Sequence, residues 1–199
     1  LLKRIYEEKK KELKREKISK HESIIFRRDN SYYEKLDGVD RCIDDEIPFD
    51  IPDSWEWIRL PSLANFYLGK TPERNNLQNW GNDFPWVSIA DMKDKSIINH
   101  TKEKISNYAL SDKFNNQFSP KGTLIMSFKL TVGRTSLLDM DAVHNEAIIS
   151  IIPYISTENI TKIFLLNLLG LLVEYCDTTD AIKGATLNKD KLNKLLIPL

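Results

Sequence analysis

Apolar residues along the chain follow two periods, and each period predicts a different kind of element. Over 159–176 they recur at helical spacing with few interruptions, which predicts a core helix. Two apolar runs at 123–128 and 131–138 are joined by a short polar hinge, and a third run covers 143–152. These runs are rich in residues that favour half-buried pleated surfaces. We therefore predict a strand pair followed by one further strand.

The N-terminal part of the chain is polar and strongly charged. Residues 1–18 predict a helix with a thin apolar stripe, because its glutamates have a lysine or arginine three or four positions later. Two interpretations stay open: a solvated helix against the domain, or the end of a longer helix that pairs with a partner. Residues 19–50 are polar and acidic, and they predict an extended linker or wrap.

A compact domain is predicted over 51–199. Its other elements are strands within 51–60 and 86–90, a short helix within 109–114, and a C-terminal turn or short helix followed by a strand. The fold class that follows is α+β, a mixed or mostly antiparallel sheet packed on helices, with a projecting N-terminal helix. The chain begins at Leu1 instead of Met, so we expect a piece of a longer protein.

Composition restricts the class of protein without deciding its function. The 199 residues carry 29 basic and 29 acidic side chains, so the net charge is zero. The two cysteines have no CxxC spacing, which predicts reduced thiols and a cytoplasmic location. The start of the chain lacks the pattern of a secretory signal, and the apolar helix is too short and too interrupted to predict a membrane span.

The charges are unevenly distributed, and one segment is entirely basic. The stretch 113–138 contains no acid but three lysines and Arg134. A β-rich segment with only positive charges suits a polyanion, because each cation placed against a phosphate releases condensed counterions. The loop Gly69–Pro72, which reads GKTP, is a second candidate, since Lys70 and Thr71 can donate to a phosphate. An ordinary turn explains that loop equally well.

The hinge of the basic segment holds our main candidate for reading bases. Arg134 can bind guanine through two hydrogen bonds, worth about 1–3 kcal/mol of discrimination. Its alternative role is an ion pair with Asp139 or Asp141. A second polar-basic loop lies near the C-terminus, and Arg74 and the amides at 75, 76 and 78 can also read base edges. The complete set of predicted DNA contacts is Lys70, Thr71, Arg74, Lys129, Thr131, Arg134, Lys183, Thr186, Asn188 and Lys189.

Two other classes of function were weighed. A metal-dependent nuclease can be imagined from Asp53 with Asp91 and Lys93, but such acid and lysine spacings recur by chance in this chain. No Pro-Pro pair, P-loop or GxGxxG occurs, so neither an adenine methyltransferase loop nor a nucleotide-binding motif is present. A protein-interaction module without DNA readout is the third class, with helix 1–17 as its contact surface. We predict no catalytic residue and no metal ligand.

Several segments, taken in order, carry a family resemblance. They are LLKRIYEEKKKELK with HESIIFRRDNSYYEKL, IDDEIPFDIPDSWEWIRL, GKTP, PWVSIADM, KGTLIMSFKLTVGRT, HNEAIISIIP and GATLNKDKLNKLLIPL. Each is weak alone, but the ordered set is specific. It resembles the target recognition domain of type I restriction-modification specificity (S) subunits.

The resemblance implies a non-catalytic protein that reads one half of a split target in double-stranded DNA. In that family, long helices bind methyltransferase (M) subunits, and restriction (R) subunits join through the complex. S-adenosylmethionine, ATP and Mg²⁺ would belong to those partners, so this chain is expected to need no cofactor. Lys70, Lys129, Lys183 and Lys189 would dock on the backbone and Arg134 would read bases. The 183–189 loop looks similar among members with different targets, which implies phosphate positioning.

Overall fold

Helices and strands are interspersed along the computed structural model, which describes residues 2–16, 23–129, 131–155, 160–179 and 189–199. The helices are α1 (Leu2–Glu16), α2 (Leu60–Leu63), α3 (Asn107–Phe114), α4 (Ile160–Thr179) and α5 (Lys189–Lys194). The strands are β1 (Ser23–Arg28), β2 (Ser31–Leu36), β3 (Val39–Cys42), β4 (Trp57–Arg59), β5 (Ala64–Leu68), β6 (Trp80–Val87), β7 (Ser96–Ile98), β8 (Glu103–Ile105), β9 (Leu124–Ser127), β10 (Thr135–Leu138), β11 (Val143–His144), β12 (Ile148–Pro153) and β13 (Leu196–Pro198). The α+β class with an N-terminal helix is confirmed.

The central layer is a five-stranded sheet in the order β5-β12-β9-β10-β7. The predicted strand pair is confirmed, since β9 and β10 run antiparallel with Met126 opposite Thr135. Only the β10–β7 pair in this sheet is parallel. The sheet is therefore mixed and mostly antiparallel, as predicted.

Helix α4 packs on this sheet and closes the main core. Leu165, Leu169 and Leu172 are buried in the same apolar cluster as Leu124 of β9 and Ile149 of β12. Burying each such side chain contributes about 1.5–3 kcal/mol, so the helix is held mainly by this face. None of the helices in the described part of the chain has the length and apolar content that crossing a membrane requires.

A smaller sheet, in the order β11-β6-β8, carries the loops discussed below. The predicted strand 86–90 overlaps β6 only at Trp86 and Val87, because β6 starts earlier and Ile89–Asp91 form a turn of 3-10 helix. The prediction of one continuous strand over 143–152 was wrong. A turn at Asn145–Ala147 separates β11 from β12, because the Asn145 side-chain oxygen accepts the Ala147 N–H at 3.1 Å. That turn moves Glu146 out to the surface.

The stretch 19–50, predicted as an extended linker or wrap, instead contains an antiparallel three-stranded sheet of β1, β2 and β3. Two-residue turns at Asp29–Asn30 and Asp37–Gly38 connect the strands, and all four residues have positive φ angles. Such turns match the twist of a β-hairpin. The strands escaped prediction because β3 is exposed throughout, so no apolar alternation marks it. The polar segment 93–107 gives no signal for β7 and β8, because each strand has three residues and a single buried side chain.

A buried ion network ties the N-terminal sheet to the domain. The Arg59 guanidinium lies 2.8 Å from carboxylate oxygens of both Glu34 and Glu46, and Arg41 lies 2.9 Å from Glu34. Burial raises the pKa of Glu34, but hydrogen bonds from Arg59 and Ser23 outweigh it and lower that pKa to about 2. The network therefore holds β2 and β4 together as long as Glu34 stays ionised.

The N-terminal helix packs on the domain through its first turns. Ile5 is buried in the main core, and Lys9 donates to the Ser62 hydroxyl at 3.2 Å. This part of the predicted thin apolar stripe is therefore used within the chain. The proposed limits 1–18, 19–50 and 51–199 stay predictions.

Candidate nucleic-acid interface

The GKTP loop is fixed to the turn between β11 and β12. The Gly69 N–H donates to the Ile148 carbonyl at 3.1 Å, and the Lys70 N–H donates to the His144 carbonyl at 2.8 Å. On the other side, the Trp86 indole N–H donates to the Lys70 carbonyl at 3.1 Å. Three hydrogen bonds to separate strands therefore set the position of Lys70 and Thr71.

Gly69 is needed for contact with the protein's own backbone. A Cβ at this position would lie 2.1 Å from the carbonyl oxygens of His144 and Asn145. The missing side chain is what allows the loop to reach its strand partners.

The Glu146 carboxylate interacts with predicted DNA-contact residues from separate parts of the sequence. The Thr71 hydroxyl donates to its carboxylate. That hydrogen bond lowers the pKa of Glu146, and the positive charges of Lys129 and Arg74 lower it further. The structure thus places the predicted contact Thr71 against a surface carboxylate whose pKa is also lowered by the charges of Lys129 and Arg74.

The Arg74 guanidinium lies close to two indole rings that are perpendicular to each other. Its guanidinium lies 4.2 Å from the ring centre of Trp80 and 4.8 Å from that of Trp86. Both terminal nitrogens donate to Glu103, one of them at 3.2 Å. Because this carboxylate occupies the fork that would bind a base, Arg74 must exchange Glu103 for DNA to act as a reader.

The lysines of the acid-free segment have partners from other segments. Lys113 lies 3.4 Å from Asp112 and 3.9 Å from Glu73, and Lys121 lies 2.7 Å from Asp139. The Lys70 ammonium donates to the Lys113 carbonyl at 2.8 Å. The positive charge predicted from 113–138 is therefore partly compensated in the folded chain.

Arg134 lies in a separate place with Thr131. Both line a shallow pocket of about 240 Å³ beside Gly170 and Glu174 of α4. The half-buried Arg134 guanidinium donates to the Met92 carbonyl at 2.9 Å. The alternative ion pair with Asp139 or Asp141 was wrong, because Lys121 binds both acids, the first through its ammonium and the second through its backbone N–H.

A further cleft opens beside the GKTP loop. It has a volume of about 460 Å³. Tyr67, Lys70 and Phe118 line it together with the buried His144 and Ser150. Burial lowers the pKa of His144 to about 4, so this imidazole is neutral at physiological pH.

Most of the second polar-basic loop lies outside the described residues. Lys183, Thr186 and Asn188 lie outside the described residues. Lys189 is the first residue of α5, and its side chain also lies outside the described part.

The residues imagined for a nuclease serve structural roles. Asp91 accepts from the Ser88 N–H at 2.8 Å, the Ser88 hydroxyl at 2.7 Å and the Lys102 N–H at 3.0 Å. The exposed Asp53 carboxylate lies 3.2 Å from the Arg27 guanidinium. Within the described ranges, no three His, Cys, Asp or Glu side chains are grouped so that they could hold a metal ion.

Comparison with curated proteins identifies two similar relatives. The HindI type I restriction enzyme specificity subunit of Haemophilus influenzae is 30% identical over 103 residues, which are 52% of this chain and 22% of that protein. The MjaIX specificity subunit of Methanocaldococcus jannaschii is 24% identical over 110 residues, 52% of this chain and 24% of that protein. The chain thus spans under a quarter of the length of the curated relatives it matches.

Solved structures share the fold. The HsdS subunit from Thermoanaerobacter tengcongensis superposes with a TM-score of 0.51 at 21% identity, covering 76% of this chain and 34% of that one. A chain from a study of complex assembly and conformational transition of the type I R-M system superposes with a TM-score of 0.52 at 20% identity. The superposition covers 76% of this chain and 35% of that one.

The family model for the type I restriction modification DNA specificity domain matches residues 52–199. That range contains the GKTP loop, the β9–β10 hinge and the turn that carries Glu146. The sequence blocks, the fold and this match agree, and the chain belongs to the type I restriction-modification DNA specificity family.

Proposed function

We propose that this chain reads one half of a bipartite target in double-stranded DNA, as a target recognition domain of a type I specificity subunit. The observation that carries the proposal is that two donors of the family-matched region are held by surface carboxylates: Thr71 donates to Glu146 and Arg74 donates to Glu103. These two side chains and Lys129 can donate to phosphate or base edges once DNA displaces the protein partners of Thr71 and Arg74.

The chain supplies recognition, and the chemistry belongs to its partners. M subunits methylate an adenine, and R subunits join the complex to cleave unmodified DNA. S-adenosylmethionine, ATP and Mg²⁺ bind to those subunits, and the complex works in the cytoplasm. An adenine must leave the base stack to be methylated, so the specificity protein acts by placing the partner's pocket over the right base pair.

Lys129 and Arg134 have different roles in this proposal. Lys129 has a side chain that reaches a backbone phosphate, so Lys129→Ala weakens binding to all sequences and lowers the salt slope by about one. Arg134 can keep one hydrogen bond to Met92 and still offer its remaining N–H groups to guanine. Arg134→Ala then relaxes the target sequence. Equal effects of both variants on target and scrambled DNA would contradict this division.

The primary test maps methylated adenine at base resolution in cells with the parent gene intact or deleted. The proposal expects methylation of a split motif to disappear on deletion. Exchanging only residues 51–199 with those of a relative should change one half of the motif and leave the other half unchanged. Survival of every methylated motif in an actively methylating strain would overturn the proposal.

A further inference from the structure

The loop after the GKTP segment exposes an apolar side chain that has no structural use. Leu77 is 84% exposed, whereas Val39 and Ile97, the next most exposed large apolar residues of the described part, are 68% and 67% exposed. Isolated exposed leucines are common, so exposure alone carries no function. What distinguishes Leu77 is the rigidity of the loop that presents it.

Several hydrogen bonds hold this loop in one conformation. The Asn76 side-chain oxygen accepts the Gln78 N–H at 3.1 Å, and the buried Asn79 amide donates to the Glu73 carbonyl at 3.2 Å. The Ser106 hydroxyl donates to the Gln78 carbonyl. Leu77 is therefore pre-positioned in solvent, which lowers the entropy lost when it contacts a partner.

The residues on either side of Leu77 have side-chain amides that are free to bind. Asn75 and Gln78 are exposed, and among the described residues neither amide has a hydrogen-bond partner. An amide can pair with adenine through one donor and one acceptor, and an apolar group can contact the thymine methyl in the major groove. One short loop thus presents groups for both bases of the same pair.

Groups for a G·C pair are lacking at the same place. Within the loop itself and up to Asp83, no lysine or arginine occurs at 75–83. Asp83, which could accept from cytosine, already accepts the Asn107 N–H at 2.9 Å. The chemistry of the loop therefore favours an A·T pair.

We propose that the loop 75–78 reads one A·T pair of the target in the major groove, with Leu77 against the thymine methyl and the Asn75 and Gln78 amides on the adenine edge. This inference rests on the proposed recognition function. It adds a specificity-determining residue and the identity of one base pair in the half-site.

The test uses the full-length specificity protein with its partner subunits and the target obtained from the methylation map. Each thymine of the half-site is replaced in turn by deoxyuridine, which removes only the methyl group. The wild type should lose affinity about fourfold at one position, the factor for burying one methyl-sized group. Leu77→Ala should bind normal DNA about fourfold more weakly than the wild type, and its affinity should not change when deoxyuridine replaces thymine at that position.

Two controls separate the possible outcomes. Val39→Ala, which trims an exposed apolar side chain on the N-terminal sheet, should respond to deoxyuridine as the wild type does. The double variant Asn75→Ala, Gln78→Ala should lose roughly tenfold or more of the preference for A·T at the same pair. If the wild type is specific but indifferent to every deoxyuridine, or if Leu77→Ala responds as the wild type does, the loop inference is wrong. If the wild type does not prefer the target over scrambled DNA, the recognition function itself fails.

Discussion

Replacing Gly69 with alanine tests whether the GKTP loop is held by contact with the β11–β12 turn. The added Cβ would lie 2.1 Å from two carbonyl oxygens, whereas ordinary contacts begin at 3.4 Å. The loop must therefore move by more than 1 Å. That movement stretches the hydrogen bonds from the Gly69 and Lys70 N–H groups, which are 3.1 and 2.8 Å long.

The expected cost follows from these contacts. Overpacking costs about 1–3 kcal/mol, and each weakened hydrogen bond contributes about 0.5–1.5 kcal/mol net. Alanine also reduces the entropy of the unfolded chain, and this effect stabilises the folded protein by about 0.4–1 kcal/mol. We expect Gly69→Ala to lower the free energy of unfolding by about 2–4 kcal/mol. It should also weaken target DNA binding, because Lys70 and Thr71 lose the position that the loop's hydrogen bonds give them.

Urea unfolding at neutral pH provides the measurement, with Gly81→Ala as the matched control. A Cβ at Gly81 meets nothing nearer than the Ser106 Cα at 3.4 Å, and neither glycine has a positive φ angle. The entropy that alanine removes from the unfolded chain is thus the same for both variants. The difference between their free energies of unfolding therefore measures the cost of the contact at Gly69. A difference below about 1 kcal/mol, smaller than the overpacking cost, would refute the argument.

Three further predictions concern the ion network and the site. Glu34→Gln should destabilise the protein by about 3–5 kcal/mol, because it leaves part of the Arg59 charge unpaired in a buried position. The pKa of Glu34 is about 2 in the folded protein, below its usual 4.5. The ionised carboxylate therefore stabilises the protein fully above pH 4.5, and this stabilisation is lost as the pH falls towards 2. Acid unfolding that is unchanged in Glu34→Gln would contradict this. His144 has a folded pKa of about 4 against a usual 6.5, so stability should fall as pH drops from 6.5 to 4, and NMR should show a neutral ring at pH 5.5. Arg74→Lys should lower the free energy of unfolding by about 1 kcal/mol and alter tryptophan fluorescence, because an ammonium cannot bind Glu103 through two nitrogens while it lies against Trp80. An unchanged spectrum would argue against the cation–π contact.

Elements with buried faces could be predicted from the sequence, and exposed ones could not. Helix α4 and the β9–β10 pair are marked by apolar residues at the correct period, because each packs on the core. Strand β3 has no buried residue, so only the Asp37–Gly38 turn signalled its hairpin. The break in 143–152 depends on one side-chain hydrogen bond from Asn145, which leaves no trace in an apolar pattern.

The candidate site was predictable by residue type but not by arrangement. Lys70, Thr71, Arg74 and Lys129 were selected because their side chains can donate to DNA. The contact between Thr71 and Glu146 depends on the pairing of β5 with β12, which a single sequence does not encode locally. Leu77 was not predicted, because an apolar residue in a polar loop carries no periodic signal and its meaning comes from its exposure.

The pairing of cations with acids gives this surface a way to discriminate among DNA sequences. Arg74 is bound to Glu103, and Thr71 donates to Glu146, whose pKa is also lowered by the positive charge of Lys129. Non-specific DNA must break these pairs for phosphate contacts alone, so the net gain is small. A correct target adds base contacts that compensate for the broken pairs. Glu146→Gln should therefore strengthen binding to scrambled DNA more than to the target, because it weakens the competitor without adding a base contact. If target and scrambled DNA gained equally, the acids would not contribute to discrimination.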